Sequence, residues 1–134
     1  MNKYEQLKDK LAQAPMDAEA EAFLAQVDDA TRVLMRTGMP TIYKIASNLC
    51  ITPSKLRREI RRYLDLTPSD YIMLLRLNRA LQLLDLYPRY SVAYVSEQCG
   101  FFDHAHFTHT FIDYFGLTPT QYIKKMRDKR WNLG

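Results

Sequence analysis

Residues 66–72 read LTPSDYI and residues 117–123 read LTPTQYI, so nearly the same segment occurs twice in the chain. Each copy places a threonine directly before a proline, and an acid or an amide three residues after that threonine. Threonine is a favoured N-cap, proline is favoured at the first helical position, and the acid or amide can reach back to the cap. Each copy therefore predicts the start of a helix.

The repeat continues upstream of both segments. Three apolar residues recur 51 positions later: Leu56, Ile60 and Leu64 correspond to Phe107, Phe111 and Phe115. Still further upstream the offset becomes 50, since residues 45–46 and Ile51 correspond to residues 95–96 and Phe101. Such self-similarity indicates one structural unit used twice, with one residue added in the second turn.

Each unit has the pattern of a short helix, a tight turn and a second helix. The predicted helices cover residues 41–49 and 53–64 in the first unit, and residues 91–99 and 103–115 in the second. A long helix over residues 67–86 joins the units. At 1.5 Å per residue it is roughly 30 Å long, close to the roughly 34 Å between successive major grooves on one face of B-DNA. The sequence predicts an all-α fold of two helix-turn-helix subdomains joined by a long central helix, about seven helices in total.

The domain boundaries follow from this pattern. Residues 16–134 are expected to form one tandem helix-turn-helix domain, with a first unit at about 16–66, the connecting helix at about 67–86 and a second unit at about 87–127. Residues 1–15 are charged and end at a proline. Tyr4, Leu7 and Leu11 could line one helical side there, but a linker or a frayed terminal extension is the favoured interpretation.

The helix over residues 53–64 carries most of the evidence for function. Its apolar residues cluster on one side, and a polar, basic group faces away from them or flanks them: Ser54, Lys55, Arg57, Arg58, Arg61 and Arg62. Only Glu59 opposes this charge. Arginine donates bidentate hydrogen bonds to guanine and to phosphate, so the basic face suits the DNA major groove. The plainer alternative is an ordinary solvated helix face.

The second recognition helix, residues 103–115, uses different chemistry. Its outward side and first turn hold the candidate DNA-binding residues His104, Ala105, His106 and His109. By the repeat, His109 stands where Arg58 does, and Asp113 stands where Arg62 does. The helix contains every histidine of the chain, yet no cysteine or carboxylate completes a metal-ligand set with them. We therefore expect histidines that face the surface or DNA, and neither a metal nor a cofactor.

Several other classes of protein are excluded by the sequence. Cys50 and Cys99 have no metal-ligand or disulfide spacing, so both are expected to be buried, reduced thiols in a cytoplasmic protein. The first residues lack the apolar region of a signal peptide, and no apolar run reaches the roughly 18 residues of a membrane span. The sequence offers no nucleophile–base pair, carboxylate pair or phosphate loop, so an enzyme is not expected.

From about Asp17 to Arg127, the chain resembles the DNA-binding domain of AraC/XylS-type bacterial transcription regulators. The most specific motif is GFFD at residues 100–103, followed by Phe107, Phe111, Phe115-Gly116 and Thr118-Pro119. Further matches are Ile45-Ala46, Leu56 with Arg58, Thr67-Pro68 with Tyr71-Ile72, and Arg76-Leu77 with Ala80 and Leu83-Leu84.

The resemblance implies recognition helices that enter successive major grooves of double-stranded DNA. The family's base-contact positions fall on Ser54, Arg57, Arg58, His104, Ala105, His106 and His109. The chain departs from the pattern at Asp65, where glycine is usual, at Ser96, where alanine is usual, at His109, where arginine is usual, and near Ile112, where lysine is usual. These departures concern the affinity of the second recognition helix for DNA. They do not change the expected fold.

The resemblance also implies partners and a wider context. Family members act on transcription and usually carry a separate effector-binding, dimerisation or sensor portion, so RNA polymerase is an expected partner and a membrane is not. Residues 1–15 are too few for such a portion, which leaves open a fragment of a larger or dimeric regulator or a small stand-alone member, with the isolated chain expected to be monomeric. The alternative function is a helical protein-interaction module that kept this fold but lost DNA binding.

Overall fold

Eight helices and no strand make up residues 1–133, which are the part of the chain described by the computed structural model. The helices are α1 (Lys3–Gln13), α2 (Ala18–Met35), α3 (Ile42–Asn48), α4 (Pro53–Leu64), α5 (Pro68–Leu86), α6 (Val92–Gln98), α7 (His104–Phe115) and α8 (Pro119–Leu133). The all-α prediction is confirmed, with α3–α4 and α6–α7 as the helix-turn-helix pairs and α5 between them. The helix count exceeds the expected seven by one because residues 1–15 contain α1.

Side-chain caps explain where the helices begin. The capping side chains of α1 to α7, in order, are Asn2, Asp17, Thr41, Thr52, Thr67, Ser91 and Asp103, and each accepts a hydrogen bond from a backbone N–H in the first turn. Thr118 caps α8 in the same way, at 3.1 Å from the Gln121 nitrogen, and the Gln121 side chain accepts from the Thr118 N–H at 2.9 Å. This reciprocal pair is the predicted capping box.

The capping box of α5 is only half formed. The Asp70 backbone N–H donates to the Thr67 hydroxyl at 3.1 Å, as predicted. The Asp70 carboxylate, however, accepts a hydrogen bond from the Tyr114 hydroxyl at 2.8 Å instead of turning back to the cap. A tertiary partner has replaced the local one, because Tyr114 brings a donor from the second unit to the start of α5.

Helix α5 lies at the centre of the fold and contacts α1, α2, α4 and α6. Its residues Leu74, Leu77 and Ala80 are fully buried. Leu56 and Ile60 of α4 and Phe107 and Phe111 of α7 are fully buried as well, and they continue one hydrophobic core through both units. Burial of such large side chains supplies the main driving force for folding. Each helix within residues 1–133 is too short or too polar to cross a lipid bilayer.

The first 15 residues correct the expectation of a linker or a frayed extension. They contain α1, whose Tyr4 and Leu7 are buried and whose Leu11 packs at the edge of the core. The ring of Tyr4 lies 4.6 Å from that of Phe115, measured between centroids. A helix of this length is marginal in isolation, so its contacts with α5 and α7 hold it in place.

One of the two cysteine expectations is also wrong. Cys99 is fully buried, and burial raises the pKa of its thiol to about 12. Cys50, in contrast, is exposed in the turn between α3 and α4. Its φ of 58° is left-handed, a conformation that few residues other than glycine adopt and that marks a tight turn at the surface.

Candidate nucleic-acid interface

Helix α4 presents the basic face that the sequence predicts. Leu56, Ile60 and Leu64 are buried and anchor the helix to the core. The six candidate residues are all exposed: Ser54, Lys55, Arg57, Arg58, Arg61 and Arg62. At the end of the helix Asp65 takes a left-handed conformation with φ of 54°, and its N–H donates to the Arg61 carbonyl at 2.9 Å. Asp65 therefore serves as the C-cap where the family usually has glycine, with some backbone strain.

Contacts within the first unit organise these arginines. The Glu59 carboxylate lies 3.3 Å from a guanidinium nitrogen of Arg62 and 3.8 Å from Nε of Arg58. The side chains of Arg58 and Arg62 are 68% and 64% exposed, so solvent screens both pairs and either arginine can leave Glu59 for a stronger anion. Glu59 thus keeps two cations close together on the exposed face of α4.

Tyr43 is a residue of this surface that sequence reasoning missed. It is 66% exposed on α3, and the guanidinium carbon of Arg57 lies 5.5 Å from the centre of its ring. A cation–π contact at an exposed site contributes about 0.5–1 kcal/mol, enough to bias the rotamer of Arg57. The available signal was an aromatic residue at a non-core position of the first helix of the motif.

Helix α7 is built like α4 but carries little charge. Asp103 caps it by accepting from the His106 N–H at 2.7 Å, and Gly116 ends it with φ of 75°. Its buried side is aromatic and consists of Phe107, Phe111, Tyr114 and Phe115, as predicted. Of the four candidate residues, His104, Ala105 and His109 are exposed.

His106 lies less openly than expected. Its side chain is half-buried, because the ring of Phe101 from the preceding turn packs edge-on against it at 5.4 Å between centroids. The Nδ1 atom is buried and has no hydrogen-bond partner within residues 1–133. The outward placement of His106 on the helical wheel is therefore only partly right, since a wheel omits the residues of the turn. The same part of the chain contains no group of three or more His, Cys, Asp and Glu side chains placed to hold a metal ion.

Arg76 is a second residue whose role sequence reasoning did not identify. It is buried in α5 and donates hydrogen bonds to the carbonyls of Cys99 at 3.0 Å and Gly100 at 2.8 Å. Its guanidinium carbon lies 4.1 Å from the centre of the Phe101 ring. Burial lowers its pKa to about 10, which still leaves it charged at neutral pH. Arg76 ties the turn of the second helix-turn-helix to the connecting helix.

The same turn also touches the first unit. A Cβ placed on Gly100 would lie 2.5 Å from the carbonyl oxygen of Gly38 and 3.0 Å from Cδ of Pro40. Gly100 also has a φ of 73°, so both its conformation and its surroundings require glycine. Arg76 and this close approach together set the position of α7 relative to the first unit.

Comparison with known proteins places this arrangement in a family. A family model described as a helix-turn-helix domain matches residues 45–125, more than half of the chain. The chain is 36% identical over 81 residues to the HTH-type transcriptional regulator ArgR of Pseudomonas aeruginosa, covering 60% of this chain and 24% of that protein. It is 32% identical over 92 residues to the HTH-type transcriptional regulator GadX of Escherichia coli K12, covering 69% of this chain and 33% of that protein. The chain thus spans a quarter to a third of the length of these relatives.

Solved structures with the same fold agree with this assignment. An AraC-type regulator from Chromobacterium violaceum superposes with a TM-score of 0.67 at 28% identity, covering 81% of this chain and 96% of that one. The DNA-binding domain of AdpA, in complex with a target DNA, superposes with a TM-score of 0.69 at 22% identity, covering 80% and 95%, and shows the shared fold. These relatives are transcription regulators and not enzymes, as the sequence led us to expect. The chain belongs to the AraC-type helix-turn-helix family of transcription regulators.

Proposed function

We propose that the chain binds double-stranded DNA in a sequence-specific manner and thereby regulates transcription, with α4 and α7 inserted into successive major grooves. The observation that carries this proposal is the basic face of α4, where five exposed Lys and Arg side chains lie opposite a fully apolar buried side. A helix with this charge on an open face of a helix-turn-helix attracts the phosphate backbone and fits the major groove.

Different residues of α4 serve different parts of the DNA. Arg57 and Arg58, with Ser54 in the first turn, read base edges, because an arginine can donate two hydrogen bonds to guanine O6 and N7. Lys55, Arg61 and Arg62 neutralise phosphates, which sets affinity and register but not sequence. The contact of Arg57 with Tyr43 supports this division, since it orients a side chain that has to meet a base edge.

Helix α7 reads the next groove with neutral groups. His104 and His109 offer imidazole donors and acceptors from exposed positions, and Ala105 offers a methyl group to a thymine methyl. His106 is half-buried, with its Nδ1 enclosed, so it offers the duplex less surface than the two exposed histidines. Without arginine or lysine on this helix, α7 contributes more to sequence preference than to affinity.

The wider context belongs to the same proposal. The AdpA domain was crystallised with its target DNA, and the relatives ArgR and GadX are named as transcription regulators. We expect this chain to act in the cytoplasm, with RNA polymerase as its protein partner. Each unit supplies one recognition helix, so the two units of one chain can span two grooves. The isolated chain is therefore expected to bind DNA as a monomer.

A second function is favoured by one observation. The outward side of α7 holds Ile112 and Asp113, both exposed, which an anionic duplex does not attract. A protein-interaction module that kept the fold would present such a face to another protein. The two functions differ in their response to salt, because phosphate neutralisation releases counterions and an apolar protein interface does not.

The test is a selection of bound sequences from random duplex DNA, followed by affinity measurements over a range of salt concentrations. With three phosphate contacts from α4, log affinity should fall against log salt with a slope of about −3. A conserved motif among the selected duplexes together with this slope supports the proposal. If the selection recovers no motif and no duplex binds in a salt-dependent manner, the interaction module is favoured.

A further inference from the structure

Helix α1 packs on the second recognition helix, although it lies outside the family match, which begins at residue 45. The Tyr4 ring contacts the ring of Phe115 at the end of α7. The Tyr4 hydroxyl donates a hydrogen bond to the Asn78 side chain of α5. Leu7, one turn further along, is buried in the same core. One side of α1 is thus attached to both the connecting helix and the second reader.

Lys3 occupies the junction of these three helices. Its Nζ lies 3.6 Å from Oδ1 of Asp70 in α5 and 3.7 Å from Oδ2 of Asp113 in α7. The same nitrogen lies 4.5 Å from the centre of the Tyr114 ring, and the Tyr114 hydroxyl donates to Asp70. A single exposed ion pair contributes little, but several groups from three helices restrict one another here.

The first reader is held in another way. Helix α4 packs directly against α5 and α3, whereas the principal neighbours of α7 are α1, α6 and α8. At the position of α4 that corresponds to Asp113, Arg62 pairs with Glu59 of its own helix. The orientation of α4 therefore depends on the connecting helix, while α7 reaches that helix in part through α1.

We propose that α1 positions the second recognition helix, with Lys3 and Tyr4 as the positioning residues, so that α7 meets its groove when α4 occupies the preceding one. This inference rests on the proposed function. Helix α1 lies outside the residues that the family model matches. We expect it to affect binding only at the half of the DNA site that α7 contacts.

The test compares two duplexes and four forms of the full chain. The first, intact duplex is one that the wild-type chain selects from random DNA. In the second, scrambled duplex, the half of the site that α7 contacts has a scrambled sequence. That half is the one where Arg58→Ala leaves base preference unchanged. The proteins are the wild type, Lys3→Gln, Tyr4→Ala and the control Lys10→Gln, which removes an exposed charge of α1 that has no ion pair within residues 1–133. Circular dichroism verifies that each variant is folded.

We expect Lys3→Gln and Tyr4→Ala to lose about two- to tenfold in affinity on the intact duplex, relative to Lys10→Gln. On the scrambled duplex all three should bind equally, because α7 has no site to meet there. Equal losses on both duplexes would overturn the inference in favour of a general effect of charge or stability. Binding equal to that of Lys10→Gln on the intact duplex would also overturn it, whereas a wild type that enriches no duplex in the selection would overturn the proposed function itself.

Discussion

The two recognition helices have the same buried side and opposite outer chemistry. Both contain 12 residues, begin after a side-chain cap and end at a left-handed residue. The apolar residues of α4 have aromatic counterparts in α7 at the same register. On the outside, α4 carries five basic residues, whereas the corresponding positions of α7 hold two histidines, a threonine, an isoleucine and an aspartate.

The contrast between the buried and the outer residues shows that packing constrains one side of each recognition helix and the binding partner constrains the other. The buried register is set by packing against the core, where a change in volume or polarity is costly. The outer residues contribute almost nothing to the core, so the chemistry of the partner can determine them. A repeated fold therefore predicts where a reading surface lies but not how strongly that surface binds.

The largest expected effect concerns the turn that places α7. Gly100→Ala combines a left-handed backbone with a Cβ that would lie 2.5 Å from the Gly38 carbonyl oxygen, so the two units must move apart. We expect a loss of about 3 kcal/mol in the free energy of unfolding, measured by chemical denaturation. Gly116→Ala is the matched control, because Gly116 has a similar φ of 75° and no atom within 4 Å of its added Cβ.

Gly116→Ala should cost only about 1 kcal/mol, the price of the left-handed conformation. Losses of equal size in the two variants would show that the contact with Gly38 does not hold the units together. Cys50 and Asp65, the corresponding left-handed residues of the first unit, already show that a side chain is tolerated where space is open.

The next effect separates base reading from phosphate binding. Arg58→Ala should weaken binding to a selected duplex by about 1–3 kcal/mol and relax base preference at one position, because a bidentate contact with guanine is lost. Fluorescence anisotropy with the selected duplex and single-base variants measures both quantities. Arg36→Ala, which removes an exposed charge at the end of α2, is the control. If Arg58→Ala and Arg36→Ala have the same effect, Arg58 does not read a base, and unchanged binding in Arg61→Ala and Arg62→Ala as well would show that α4 is not the recognition helix.

A substitution in α7 can remove the difference between the two readers. His109→Arg places an arginine at the position that corresponds to Arg58 and should strengthen binding by about 1 kcal/mol, with a salt slope steeper by about 0.9 if a phosphate is reached. Ala22→Arg adds the same charge at an exposed position of α2 and serves as the control. No gain over that control would mean that position 109 does not face the duplex.

The smallest effects are expected at the remaining arginines of α4. Arg61→Ala and Arg62→Ala should each weaken selected and random duplexes alike, by about 0.5 kcal/mol, and lower the salt slope by about one. Titrations at several salt concentrations with both duplexes measure these changes. A loss confined to the selected duplex would instead assign Arg61 or Arg62 to base reading.

Much of the fold was accessible from local sequence signals. The bounds of α4 at Pro53–Leu64 agree with the prediction, because Thr52 caps the helix and Pro53 begins it. The repeat located α7 and its buried aromatic residues correctly. Both results depend on short-range rules, since caps and helical periodicity act within one or two turns.

The predictions that were wrong concern residues whose surroundings depend on contacts with other parts of the fold. Residues 1–15 form a packed helix because Tyr4 and Leu7 find partners in α5 and α7, more than 60 residues away in the chain. His106 is half-buried because Phe101 from the preceding turn covers it, and Cys50 is exposed in the turn between α3 and α4, where the corresponding Gly100 of the second unit is buried. A helical wheel includes none of these neighbours.

The sequence by itself determined helices α2 to α8, the caps of the repeated segments, the repeated unit and the basic face of α4, because each depends on residues close together in the chain. Only the tertiary structure decided how the second reader is held. Arg76 binds the carbonyls of a turn 23 and 24 residues away, Gly100 approaches Gly38, and Lys3 joins α5 to α7. These contacts require distant residues to meet, and a buried arginine or a close backbone approach is favourable only once the surrounding core has formed.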